Sequence, residues 1–325
     1  MKILIIRFSS IGDIVLTTPI IRCVANQIPN AEIHYICKPA YTNLLDNNPY
    51  IKHLHLFEPD NLSLIQTLKA ENFDYIIDLQ NNFRSKKLAK KLSVPNSAFP
   101  KLNIKKWLLV NFKINRMPNI HVVERYFRAT EILPQAIEND SQGLDFFIDD
   151  ADRKKIETLH LQQDFIAIAM GSQHATKQLP LSKLTEICQH LNKQIILLGG
   201  KEDAETAEKL CSSINKDIVN LCGKLSLRES AACIEKSKKL LTGDTGLMHI
   251  AAALNKSIVS VWGNTVPAFG MYPYMPKNPE NYIIIENNHL SCRPCSKLGF
   301  PQCPKKHFKC MEEIDIQTIV KLLNE

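Results

Sequence analysis

Short apolar, β-branched runs separated by helical patterns constrain this chain more than any other feature. In the first half these runs are Lys2–Phe8, Glu32–Cys37, His53–Phe57 and Tyr75–Leu79. The pattern restarts around Asp149–Asp152 and continues with Phe165–Met170, Ile195–Leu198, Ile218–Leu221, Lys239–Leu241 and Ile258–Val261. Strands that alternate with helices pair in parallel across helical crossovers, and such a sheet is covered on both faces. At 325 residues the chain is long for one core. The reading is therefore two doubly wound parallel-sheet α/β domains in series, 1–150 and 151–310. A last helix over Glu313–Leu323, within 311–325, is expected to return to the first domain. In this architecture ligands bind beyond the carboxyl ends of strands, and one shared by two domains lies in the cleft between them.

Local signals support the helices. Ser226 with Glu229 three residues on reads as a capping box, and "DDAD" (Asp149–Asp152) reads as a cap rather than a metal–diphosphate motif. Pro19 marks a kink or a second helix start. His121–Leu133 reads as one amphipathic helix, with Val122, Tyr126, Ala129 and Leu133 on a single stripe.

No apolar stretch reaches the ~18–20 residues of a membrane span. Ile3–Ile6 is too short for a signal-peptide core, so a cytoplasmic location is expected. Ten cysteines then read as reduced thiols or a metal site before disulfides. In the tail, Cys292, Cys295, Cys303 and Cys310 follow a C-x2-C pattern with two further cysteines and His307 nearby, a candidate structural zinc site. The net charge of +7 is concentrated: residues 80–122 hold ten Lys/Arg and no Asp or Glu. Such a block attracts an anionic partner, and Trp107 beside Lys105 and Lys106 suits a headgroup layer.

Four turns could carry chemistry. "RFSSIGDIVLTTP" (Arg7–Pro19) leaves the first strand with a single glycine and the acid Asp13. "AMGSQHATKQLP" (Ala169–Pro180) offers Ser172, Thr176 and Lys177 to a diphosphate, with Pro180 opening the next helix. "LLGGKEDAE" (Leu197–Glu205) places Glu202 where it could accept hydrogen bonds from ribose hydroxyls. "LLTGDTGLMHIAAAL" (Leu240–Leu254) reads as a strand, an Asp244 N-cap and a helix. The amides of Thr245, Gly246 and Leu247 would face an anion, with His249 one turn on facing the same mouth. Neither G-x-G-x-x-G nor G-x-x-x-x-G-K-[ST] is present, which excludes the usual nicotinamide and P-loop fingerprints.

The segments "SSIGD", "DLQNNFRS", "TKQLP", "GGKED" and "GDTGLMHIAAAL" together resemble glycosyltransferase family 9, the ADP-heptose:lipopolysaccharide heptosyltransferases. Asn81 departs from the family pattern, standing where glycine is frequent. The resemblance implies a GT-B fold, two Rossmann-like domains facing across a cleft. It implies that Asp13 is the catalytic base of an inverting transfer and that Lys177 stabilises the leaving diphosphate. Ser172, Thr176, Lys177, Thr245 and Gly246 would bind the donor diphosphate, Glu202 its nucleoside, and Asp244 and His249 would complete the donor pocket.

The same resemblance implies that the acceptor, the inner core of lipopolysaccharide, meets Ser9, Ser10 and Gly12 of the first turn and Arg84, Lys86 and Lys87 of the basic block. The enzyme would sit peripherally on the inner face of the inner membrane, use ADP-heptose, need no metal for catalysis and bind no nucleic acid. Two readings stay beside it: a related transferase with another nucleotide-sugar or glycan acceptor, and a non-enzymatic basic membrane- or nucleic-acid-binding protein.

Overall fold

The computed structural model describes residues 1–59 and 61–325. The chain divides into two compact units, Met1–Lys101 with Ile120–Phe147, and Leu102–Asn119 with Ile148–Glu325. The basic block is thereby split, its Lys105–Arg116 portion belonging to the second unit.

The first unit begins with β1 (Lys2–Ile6), α1 (Ile11–Val15), α2 (Thr18–Gln27), β2 (Glu32–Cys37) and β3 (His53–Leu56). It continues with α3 (Leu62–Ala70), β4 (Tyr75–Asp78), α4 (Phe83–Leu92) and β5 (Asn96–Ala98). Helix α5 (Asn103–Phe112) belongs to the second unit, and α6 (Val122–Phe127) returns to the first. The strands form one parallel sheet in the order β3-β2-β1-β4-β5. β1 is central and Ile3–Ile6 are fully buried, which is why this run reads as an unbroken apolar stretch. Strand order reverses between β1 and β4, the switch point at whose carboxyl end α/β sheets bind ligands. Pro19 lies in the first turn of α2, so it marks a second start, and the Asp13 helix is a separate short element. The single helix expected over His121–Leu133 is shorter. It ends at Phe127 and tightens into a 3₁₀ turn, Arg128–Ile132, where the Thr130 hydroxyl donates to the Phe127 carbonyl (2.7 Å).

The second unit continues with α7 (Asp150–Glu157), β6 (Ile166–Ala169), α8 (Leu181–His190), β7 (Ile195–Leu198), α9 (Ala204–Ser213), β8 (Ile218–Asn220) and α10 (Leu227–Lys236). Then follow β9 (Lys239–Gly243), α11 (Gly246–Ala253), β10 (Ser257–Trp262), β11 (Tyr282–Glu286), α12 (Lys309–Glu312) and α13 (Ile316–Asn324). Its parallel sheet runs β11-β10-β9-β6-β7-β8, with the reversal between β9 and β6. Asp149 caps α7 by accepting from the Asp152 amide (2.9 Å), and Ser226 and Glu229 form the capping box of α10. The terminal helix, expected to return to the first domain, is part of the second unit. Ile316, Ile319 and Leu323 of α13 are buried in the core formed by α8, β6 and β7. Its apolar stripe matches that core, so burial keeps it at home.

Candidate active site

In the first unit the chain leaves β1 at Arg7 and enters α1 through Ser9 and Ser10. Asp13 stands at the third position of α1, with Ser10 as N-cap. Both carboxylate oxygens are held. Arg7 Nη2 lies 2.5 Å from Oδ1, and the Ser10 hydroxyl donates to Oδ2 at 2.8 Å. Arg7 is itself buried and fixed, donating to the carbonyls of Ser9 (2.8 Å) and Leu79 (2.5 Å). Burial alone would push the Asp13 carboxyl up. The Arg7 charge, with hydrogen bonds from Ser10 and Arg7, outweighs it and holds the group below the ordinary aspartate value. Asp13 is therefore ionised at neutral pH, yet 26% of its side chain stays open to solvent.

The loop after β4 completes this end of the sheet. Asp78 accepts from the amides of Gln80 (2.9 Å) and Asn81 (2.7 Å) and from the Ser85 hydroxyl (2.7 Å). The Phe8 amide donates to Gln80 Oε1 (2.8 Å), stitching the two turns that flank the switch point. Asn81 has φ of +43°, which explains why glycine suits this position and why asparagine can replace it. Of the expected acceptor residues, Ser9 and Ser10 are half-buried and Gly12 is buried in α1. Arg84, Lys86 and Lys87 are exposed on α4. Phe57, Leu64, Ile65, Phe83 and Leu88 line an open groove of about 170 Å³ edged by Arg84, Lys87, Lys91 and Glu58.

In the second unit the loops after β6 and β9 meet at the switch point. Lys177 Nζ lies 2.7 Å from Asp244 Oδ2, both side chains largely buried, and the Thr265 hydroxyl donates to the same oxygen at 2.9 Å. Gly243 permits this approach, since a Cβ there would lie 2.5 Å from the Lys177 carbonyl oxygen. Asp244 is not the helix cap: that role belongs to Thr245, whose hydroxyl accepts from Met248 N (3.4 Å). The acid is instead committed to Lys177. The open amides of Gly246 and Leu247 follow, backed by an eight-residue helix. Pro180 is likewise the N-cap of α8 rather than its first residue.

Two expected donor contacts are buried. Thr176 is 2% exposed, and its hydroxyl both donates to the Phe300 carbonyl (3.0 Å) and accepts from the Phe300 amide (2.8 Å). It fastens the tail instead of facing the loop mouth, while Ser172 is half-buried nearby. His249 is 2% exposed, so with no donor bound it offers almost no surface to one. Glu202 is exposed, whereas its neighbour Asp203 is buried and accepts from the Gly200 amide (2.8 Å). A Cβ at Gly171 would lie 2.1 Å from Asp203 Oδ2, and one at Gly199 2.6 Å from the same oxygen. Asp203 thus wedges between the loops after β6 and β7. The roles of Arg7 and Asp203 emerge only in the structure; a basic residue ending a buried strand and an acid three residues after a glycine pair are the signals the sequence offers.

The tail is organised by Arg293. Its buried guanidinium donates to the carbonyls of Gly263, Trp262, Thr265 and Asn287 and pairs with Glu286 (2.8 Å). Lys113, one of the basic block, is also spent here, on the carbonyls of Cys292 (3.0 Å) and Pro294 (2.7 Å). Cys292, Cys295, Cys303 and Cys310 are free thiols, and Cys310 is packed in the core. Burial pushes the Cys295 thiol up to about 11 and Cys310 up to about 12. Cys292 Sγ lies 3.9 Å from His307 Nε2. Among the described residues, the one group of three His, Cys, Asp or Glu that brings ligand atoms within 4.8 Å of one another is Glu32, His34 and His53.

Lipopolysaccharide heptosyltransferase 1 of Campylobacter coli is 26% identical over 350 residues, spanning 100% of this chain and 98% of that protein. Lipopolysaccharide heptosyltransferase 2 of Salmonella typhimurium is 24% identical, over 83% of this chain and 84% of its own length. Among solved structures, E. coli ADP-heptose LPS heptosyltransferase II superposes with a TM-score of 0.74 at 21% identity, covering 100% and 98% of the two chains. E. coli heptosyltransferase WaaC with ADP gives 0.71 at 18%, covering 99% of each. The fold is GT-B. The model of glycosyltransferase family 9 (heptosyltransferase) matches residues 61–304, and the chain belongs to that family of glycosyltransferases.

Proposed function

We propose that this enzyme transfers a heptose from ADP-heptose to the inner core of lipopolysaccharide, inverting the anomeric centre. The observation that carries the reading is Asp13, a carboxylate held ionised by Arg7 and Ser10 at the end of the central strand and still reachable from solvent. Asp13 takes the proton of the acceptor hydroxyl as that oxygen attacks the anomeric carbon. The bond to the diphosphate breaks on the opposite face, and ADP leaves with the electron pair. A general base positioned in this way contributes ~10²–10⁴-fold.

The second unit holds the donor. Lys177 and the amides of Gly246 and Leu247 receive the charge that grows on the leaving diphosphate, where fixed donors act most strongly. Asp244 and Thr265 position the Lys177 ammonium rather than touching phosphate, while Ser172 and Glu202 are the remaining candidates for the rest of the nucleotide. The exposed cations Arg84, Lys86 and Lys87 suit an acidic glycolipid. On α5, Ile104, Trp107 and Phe112 are exposed beside Lys105, a composition that lies well in a headgroup layer. Peripheral attachment is in keeping with the described residues, which contain no helix long and apolar enough to cross a membrane.

A panel of nucleotide-sugars is screened by thermal stabilisation, and the winners are tested for transfer to truncated core acceptors, with the anomeric configuration of the product read by NMR. ADP-heptose alone should support transfer, with inversion. Retention, or transfer from another donor only, would refute the reading.

A further inference from the structure

The sheet of the first unit has a second end. Its amino-terminal edge, opposite the turn that carries Asp13, gathers ionisable side chains that sugar transfer does not use. Glu32 and His34 are two residues apart on β2 and so share one face, and the parallel register places His34 beside His53 of β3. One ligand-type atom from each of Glu32, His34 and His53 lies within 4.8 Å of the others. His34 is fully buried, Glu32 half-buried and His53 exposed.

The buried imidazole is oriented. His34 Nδ1 lies 2.9 Å from His55 Nε2, and this hydrogen bond sets the ring. The other nitrogen, Nε2, then points at carboxylates, 2.9 Å from Glu32 Oε1 and 4.0 Å from Glu71 Oε2. A ligating histidine whose second nitrogen is held by an outer hydrogen bond is the usual arrangement at metal centres.

We propose that Glu32, His34 and His53 bind a first-row divalent metal ion of the zinc class, which fastens the edge strand β3 to β2. Two imidazoles and one carboxylate select zinc, cobalt, nickel or copper over magnesium and calcium, which require oxygen ligands. Zinc–ligand bonds of ~2.0–2.1 Å put tetrahedral donors roughly 3.3 Å apart, so the 2.9 Å His34–Glu32 pair opens slightly and the His53 nitrogen, within 4.8 Å of both, closes by at most about 1.5 Å. Exposed His53 supplies most of that movement by rotating. The ion takes the place of the proton between His34 Nε2 and Glu32, and His34 then donates from Nδ1 to His55. Lys2 keeps its 3.0 Å contact with Glu71 and gives up the longer one, 3.5 Å, to Glu32. Water or Glu71 fills the fourth position.

The test is titration of the full-length protein with Co²⁺ and Zn²⁺, for wild type, His53→Asn, Glu32→Gln and the tail variant Cys292→Ser/Cys295→Ser. Cobalt held by nitrogen and oxygen gives d–d bands without the thiolate-to-cobalt charge-transfer band that the tail would produce. Wild type and the tail variant should bind one equivalent with the nitrogen/oxygen spectrum and gain thermal stability. His53→Asn and Glu32→Gln should each weaken that binding about 100-fold, at or beyond the upper end of the effect of losing an outer-shell partner. His53 is exposed, so its replacement should leave the metal-free melting temperature unchanged. A spectrum of thiolate type alone, no binding by wild type, or undiminished binding by His53→Asn would each overturn the assignment.

Discussion

Replacing Asp13 by Asn separates chemistry from folding. The variant keeps one oxygen for either Arg7 or Ser10 and loses the charge that Arg7 faces at 2.5 Å. Arg7 retains its bonds to the Ser9 and Leu79 carbonyls, so it is not stranded. The structural loss is therefore about one charge-assisted hydrogen bond, ~1.5–3 kcal/mol, or roughly 3–12 °C in melting temperature for a domain of this size. Against a typical ~5–15 kcal/mol the variant stays folded. The catalytic loss is larger: ~10²–10⁴ in kcat, or about 2.7–5.5 kcal/mol of barrier. Donor affinity, set in the second unit, should be unchanged. The two losses also differ in pH dependence. Because the Asp13 carboxyl titrates lower in the folded chain than in the unfolded one, its ionised form adds stability above the unfolded value of ~3.9, and this is lost as pH falls through the folded value. The gap in melting temperature between wild type and variant should therefore be open at pH 7 and close as the solution is acidified below about pH 4. Single-turnover transfer, calorimetric donor binding and melting curves from pH 3 to 8 supply the data. A variant with wild-type kcat, or one whose lost rate is matched by lost donor affinity, refutes the assignment of Asp13 as base.

Lys177→Ala leaves Asp244 largely buried without its cation, so we expect about 3–5 kcal/mol of destabilisation by urea unfolding, together with at least tenfold weaker nucleotide binding by calorimetry. Gly243→Ala drives a Cβ into the Lys177 carbonyl, and the forced shift should cost about 1–3 kcal/mol and weaken donor binding while leaving melting of the first unit in place. Charge reversal at Lys86 and Lys87 should raise the acceptor KM in steady-state assays, more at low salt than at high, with donor affinity unaltered. Arg293→Met strands Glu286 and four carbonyls, and a loss of about 3–5 kcal/mol should appear as early proteolysis of the tail.

The alternation of apolar runs with helical patterns determined the fold class, since a buried parallel strand must be apolar on both faces and its helix on one. The motifs around Asp13, Lys177 and Asp244 were legible because each is local, a strand end running into a capped helix. Strands β5 and β11 were not. Asn96–Ala98 has no apolar signature; Tyr282–Glu286 carries the run Ile283–Ile285 but follows Trp262 by a long stretch without a helical pattern, so it falls outside the alternation. Thr176 and His249 look like ligand contacts in the sequence because it shows a residue's type and spacing but not what lies behind it. Tertiary packing turned one into a clamp on Phe300 and buried the other. Strand order, the partnership of Arg7 with Asp13, the placement of Asp203 and the gathering of Glu32, His34 and His53 were decided only in three dimensions. Each joins groups from separate segments, and neither the pairing of strands across a sheet nor the partner of a single polar side chain leaves a periodic trace along the chain.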